Sequence, residues 1–302
     1  MSGTGPVRRG TSLIEVLVAV AIVGILSAMV ICAVQKARVA AAQADDKNRM
    51  RQITLALHGY AAARQGQLPG RKVPSVYTDI DIANSSPLLN IYPHLSGNSY
   101  LKKVKRQYPV LREYISPLDP SLVGPTPLEQ WGEPPCSYVV NQQVFGAPSR
   151  LDATIRDGLS TTLFLTTRFS RCIFHSPQIN AGVDTSYTYL EPYEPLSPNP
   201  WSFRRSCTVA DPSWRDVVPV TTDGVTVPSE PGWTFQDAPR VRVSADDPTT
   251  GEADSRVAHS WRAGGLHVAF FDGSVRTLPP SIPESAYWPL FTPSGGEVVS
   301  AE

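Results

Sequence analysis

Residues 13–34 read LIEVLVAVAIVGILSAMVICAV, 22 residues carrying a single charge, Glu15, near the start. About 20 apolar residues in a helix cross a bilayer, so this run is long enough to span a membrane. Arg8 and Arg9 precede it, which by the positive-inside rule leaves the N-terminus in the cytoplasm and sends the remainder outward. Lys36 and Arg38 on the far side pull against that assignment. An ordinary secretory signal places its small-residue cleavage site after the apolar run, whereas here the basic residues and Gly10 come immediately before it. A carboxylate in an apolar helix costs about 2.5–3.5 kcal/mol at the bilayer centre and less near an interface, so Glu15 calls for a partner. A plain signal anchor, with Glu15 at the headgroup level, is the competing reading.

The segment after the apolar run, AVQKARVAAAQADDKNRMRQITLALHGYAAARQ, has no Gly or Pro before Gly59 and is rich in helix-favouring Ala, Arg, Gln and Leu. Met50, Ile53, Leu57 and Tyr60 make an apolar stripe on one face. One helix is expected from about Thr11 to about Arg64, on the order of 80 Å long at about 1.5 Å per residue. Gly66 and the Leu68-Pro69-Gly70 turn end it. The stripe needs a cover, which the following domain would supply. His58 reads as a packed or surface histidine.

The remainder is loop-rich and strand-rich. Proline is 29 of 302 residues, close to twice the usual share of about 5%. Short β-type runs at 137–140, 161–165 and 217–220 suggest antiparallel strands. Asp272-Gly273 between two β-forming runs predicts a type I′ hairpin with positive φ at both residues. The formal charge is zero, with 27 basic and 27 acidic residues, so nothing favours a nucleic-acid partner. Cys32 lies in the apolar run. An oxidising compartment would allow one disulfide among Cys136, Cys172 and Cys207, and buried thiols are the alternative.

The order Arg8-Arg9-Gly10, Thr11-Ser12-Leu13-Ile14-Glu15 resembles the signal cut by prepilin peptidase. The resemblance implies cleavage after Gly10, a mature chain beginning at Thr11 with a charge of −2, and an inner-membrane, single-pass anchor with its C-terminal domain outside the cytoplasm. Glu15, at the fifth mature position, would pair with the ammonium group of Thr11 on a neighbouring pilin-like subunit. Thr11 stands where such proteins usually have Phe.

Further motifs in order resemble the bacterial family that joins a prepilin-type N-terminus to the domain of unknown function 1559. They are Ala33–Arg38, Arg51–Tyr60, Leu68-Pro69-Gly70, Ser137-Tyr138 with Asn141, Ile155–Thr162, Gly264-Gly265, Asp272-Gly273 and Thr292–Glu297. The family's hallmark is a His, nine residues, then Asp-Gly. Here Arg262 occupies the His position and His259 lies three residues too early. Arg262 retains hydrogen-bond donors but is no base near neutral pH. The implied fold is α+β, a long pilin-like helix attached to a globular antiparallel β-rich domain. Its divisions are a leader at 1–10, a transmembrane part at 11–34, a helical continuation at 35–65 and a globular domain at 66–302.

Three function classes follow. A structural or assembly subunit of a type IV pilus or type II secretion-like system fits the N-terminus. A membrane-tethered binding module for a glycan or envelope protein would use exposed aromatics, Tyr189, Tyr193, Trp201, Trp214 and Trp233. An enzyme is not expected, because no GxSxG, HExxH, Walker or Rossmann pattern accompanies the five histidines. No cofactor or metal is expected either. Asp246, Asp247, Glu252 and Asp254 do not follow the EF-hand spacing and read as a solvated acidic loop.

Overall fold

The computed structural model describes residues 13–69, 86–96, 111–122, 135–145, 149–175, 183–189, 205–206, 208–209, 220–222, 225–227, 234–239, 253 and 257–295. The chain divides into two compact units, residues 1–45 and 46–302.

Helix α1 (Leu13–Ala63) is unbroken, as the absence of Pro and the density of Ala and Leu dictate. Its first unit presents the apolar side chains outward: no residue of the most apolar stretch is buried. The second unit begins at Asp46, where the stripe turns inward, and Met50, Ile53 and Leu57 are fully buried. The helix ends on two left-handed residues, Gln65 (φ 55°) and Gly66 (φ 84°). The Gly66 N–H donates back to the Ala61 carbonyl at 2.8 Å, the bond that closes a Schellman-type terminus. Glycine at position 66 makes that reversal possible, and the chain then pairs with a later loop through Leu68 N–H to Ser149 O at 2.9 Å.

A second helix, α2 (Pro87–Ser96), follows. Pro87 begins it with its ring preset to helical φ, and Ser86 Oγ accepts from Leu89 N–H at 3.4 Å. Leu88, Leu89 and Ile91 are buried. Pro93 within it removes one backbone donor. The β-rich reading of this region did not anticipate the helix.

Among the described residues twelve strands follow: β1 (Tyr138–Asn141), β2 (Leu163–Thr167), β3 (Arg171–His175), β4 (Val183–Tyr189), β5 (Arg205–Ser206), β6 (Thr208–Val209), β7 (Val220–Thr222), β8 (Val225–Val227), β9 (Phe235–Gln236), β10 (Ala258–His259), β11 (Leu266–Phe270) and β12 (Val275–Leu278). The main sheet runs β12-β11-β2-β1-β6, antiparallel through its first four strands with β6 added parallel at the edge. The expected run at 161–165 is displaced, because Thr161 and Thr162 belong to a turn and β2 starts at Leu163. Of the run expected at 217–220, residues 217–219 lie outside the described residues, and β7 begins at Val220.

Both faces of the sheet are covered, which is why β1, β2 and β11 are buried along their whole length. On one face Tyr138, Val140, Phe164, Ala269 and Phe271 pack in one cluster with Met50, Ile53, Leu57 and the α2 leucines. Phe164 and Phe271 sit 5.2 Å apart between ring centres there. On the other face Val139, Leu163, Leu266, Val268 and Phe270 pack with Tyr287, Leu290 and Phe291 from the C-terminal turns. The architecture is therefore α+β, a long N-terminal helix followed by a domain built on an antiparallel sheet.

Candidate functional site

Of the N-terminal positions expected to act in processing and assembly, Gly10 and Thr11 lie outside the described residues. Glu15 is in the first turn of α1 and is exposed.

The densest gathering of polar side chains lies inside the second unit. Asp46 of α1 is fully buried. Its Oδ1 accepts from the hydroxyls of Ser116 and, at 2.8 Å, of Tyr138. Its Oδ2 accepts from Trp261 Nε1–H at 3.2 Å and lies 2.7 Å from His267 Nδ1. The carboxylate thus has a partner in each principal direction, as an anion removed from water requires. Burial first, and then the adjacent Asp46 charge, hold the Tyr138 phenol well above its ordinary pKa, so it stays a donor at neutral pH. The arrangement resembles an Asp–His dyad in outline, yet the carboxylate is enclosed and its acceptor sites are taken. Its chemistry is that of a fastening between helix and sheet.

A second buried carboxylate, Asp119, repeats the device. It accepts from Ser121 N–H at 2.9 Å, Ser121 Oγ at 2.6 Å, Ser137 Oγ at 2.7 Å and Ser170 N–H at 3.0 Å. Burial pushes its pKa above the usual carboxylate range, and these hydrogen bonds oppose the rise. Asn141 ties β1 to its neighbours through Nδ2, which donates to Leu163 O at 2.9 Å and Phe291 O at 2.8 Å. Cys136 is a buried thiol whose Sγ donates to Tyr138 O at 3.0 Å, and Cys207 lies outside the described residues.

The signature residues of the C-terminal region lie in the loop that leads into β11 and in the connection from β11 to β12. Gly264 and Gly265 both have φ +122°, and their N–H groups each donate to the Asp237 carboxylate at 3.3 Å. Arg262 is exposed, and its carbonyl accepts from Ser260 Oγ at 3.0 Å. Asp272 Oδ1 accepts from Ser274 N–H at 2.8 Å. The type I′ expectation is corrected: only Gly273 has positive φ, at 87°, and Asp272 does not. Gly273 N–H donates to Phe270 O at 3.0 Å and Phe270 N–H to Ser274 O at 2.9 Å. The connection is thus a three-residue loop, Phe271-Asp272-Gly273, closed by a left-handed glycine.

The loop at 155–162 joins this hairpin to the C-terminal turn. Asp272 N–H donates to Leu159 O at 2.9 Å and Arg156 N–H to Pro293 O at 2.7 Å. Asp157 Oδ2 accepts from Gly295 N–H at 2.7 Å. The hairpin is also held from α1, where His58 Nε2–H donates to Phe271 O at 2.6 Å. The His94 and Tyr60 rings meet edge to face, with 5.9 Å between their centroids. His259 is buried, and its Nδ1 accepts from Phe169 N–H at 3.2 Å.

Among the described residues no group of three or more His, Cys, Asp or Glu is placed to hold a metal ion. Asp246, Asp247, Glu252 and Asp254 lie outside them, as do Tyr193, Trp201, Trp214, Trp233 and the side chain of Tyr189. Sequence reasoning missed Asp46, Asp119 and Asp237. Asp46 had a detectable signal, since it leads Met50, Ile53 and Leu57 by four, seven and eleven residues and so falls in phase with the buried stripe.

No curated protein and no solved structure matches this chain. Residues 6–31 match the prokaryotic N-terminal methylation motif, and residues 35–116 match the family described as protein of unknown function (DUF1559). The C-terminal hairpin motifs lie beyond both matched segments. The long helix apolar enough to cross a membrane is consistent with a single-pass anchor. A methylation motif ahead of a DUF1559 segment, on an exposed apolar helix, marks a prepilin-like protein that is processed by a prepilin peptidase and associates with a membrane.

Proposed function

We propose that this protein is a structural or assembly subunit of the pilin or pseudopilin kind, working in a type IV pilus or type II secretion-like system and not as an enzyme. The observation that carries the reading is the first unit of α1, an apolar helix exposed along its length with one carboxylate in its first turn, directly behind a methylation motif. Such a surface needs lipid while the subunit is stored and other helices once it is assembled. Cleavage after Gly10 would create an ammonium group at Thr11, and Glu15 of one copy would pair with that group on the next, setting the axial register. The orientation is N-terminus inward, in the bacterial inner membrane, with residues 46–302 outside the cytoplasm.

N-terminal sequencing of the protein recovered from membranes is expected to begin at Thr11. Glu15→Ala is expected to leave the protein in the membrane fraction but to remove it from sheared or cross-linked assemblies. Normal incorporation of Glu15→Ala would overturn the pairing mechanism, and an intact Met1 would overturn the processing route.

A further inference from the structure

The exposed helix of the first unit bears a second feature that the assembly role does not use. Between Glu15 and Asp45 it carries no carboxylate, and its only charged side chains are Lys36 and Arg38, both exposed. Residues 13–34 measure about 33 Å at about 1.5 Å per residue, close to the roughly 30 Å of a hydrocarbon core. The next four residues rise about 6 Å, matching the roughly 5–7 Å of one headgroup layer. Lys36 and Arg38 therefore fall at the level of the lipid phosphates.

Their placement around the axis also discriminates between partners. Two residues apart at about 100° per residue, they point to opposite sides of the helix. A neighbouring protein docking on one face would meet only one of them, whereas lipids surrounding the helix meet both. Once Arg8 and Arg9 have left with the leader, these are the only basic side chains before Lys47.

We propose that Lys36 and Arg38 form a collar that binds anionic phospholipid headgroups and sets the depth of the helix in the leaflet from which it emerges. The proposal rests on the membrane reading above. Its test uses the full-length processed protein in phosphatidylcholine bilayers containing trace spin-labelled phosphatidylglycerol or spin-labelled phosphatidylcholine. The fraction of each probe immobilised on the protein is measured by electron paramagnetic resonance.

The unmodified chain should prefer phosphatidylglycerol by about three- to tenfold, from the attraction of a nearby cation to the single anionic headgroup of the probe. The preference should fall close to one in Lys36→Gln/Arg38→Gln and persist in Lys36→Arg/Arg38→Lys. Equal immobilisation of both probes by the unmodified chain would overturn the headgroup assignment alone, and so would a preference that survives in the glutamine variant. Absence of any immobilised lipid would show that the helix is not in the bilayer and would overturn the membrane reading with it.

Discussion

Asp46 gathers donors from positions 70, 92, 215 and 221 residues away onto one carboxylate. Its replacement is correspondingly expensive, and the two ends of the carboxylate are not equivalent. Oδ1 faces two hydroxyls, which can turn to accept, whereas Oδ2 faces the indole N–H, which cannot. Asp46→Asn can therefore place its amide toward Ser116 and Tyr138 and keep an acceptor toward Trp261 and His267. We expect Asp46→Ala to destabilise the protein by about 3–5 kcal/mol and Asp46→Asn by about 1–2 kcal/mol. Urea unfolding followed by tryptophan fluorescence would measure both, and equal losses would show that the charge, rather than the pattern of donors, carries the effect. An Asp-Asp-Lys run on a helix reads from sequence alone as a solvated turn. Only its phase with Met50, Ile53 and Leu57 hinted at burial, and the identity of its partners depends on contacts that no local pattern encodes.

The hairpin of β11 and β12 shows which parts of an element are legible. Its existence followed from the two β-forming runs that flank Asp272-Gly273, while its loop length did not. Two-residue and three-residue connections share the Asp-Gly signal and differ only in whether the residue before Gly adopts positive φ. Helix α1 was readable because its stripe repeats over several turns, whereas α2 was hidden by its short length and by Pro93. Gly264 and Gly265 supply a test at this scale. Both have φ +122°, but a Cβ on Gly265 would lie 2.2 Å from the Leu278 carbonyl oxygen, and one on Gly264 would meet open space. Gly264→Ala should cost about 1–2 kcal/mol of backbone strain. Gly265→Ala should cost at least about 3 kcal/mol, because β12 must also move. Thermal unfolding of the two variants side by side would rank them, and a smaller loss for Gly265→Ala would contradict the close approach.

At the scale of the whole molecule, the division between units falls within α1, between residues 45 and 46. Residues 46–61 of the helix belong to the core of the second unit, through Met50, Ile53, Leu57 and Ala61. A soluble fragment beginning at residue 43 should therefore unfold cooperatively, while one beginning at Gly66 should not. Losing three large buried side chains, at about 1.5–3 kcal/mol each, removes much of a typical stability of about 5–15 kcal/mol. Calorimetry on the two fragments checks this, and a cooperative transition in the shorter one would show that the helix only decorates the sheet. The membrane anchor was legible because bilayer thickness writes itself into a contiguous run of residues. The domain's polar fastenings were not, because they join places far apart in the chain.

That separation governs when the protein can finish folding. β11 lies between β12 and β2 in the main sheet, and it carries the His267 that meets Asp46. At a synthesis rate of about 5–20 residues per second, roughly 10–45 s pass between the emergence of Asp46 and that of His267. For that interval the helix is complete, its carboxylate still in water, while the sheet lacks a central strand. An anchor that enters the bilayer as it is made would do so before the domain can fold, and closure of the sheet, which needs pairing between distant parts of the chain, is expected to be a late step.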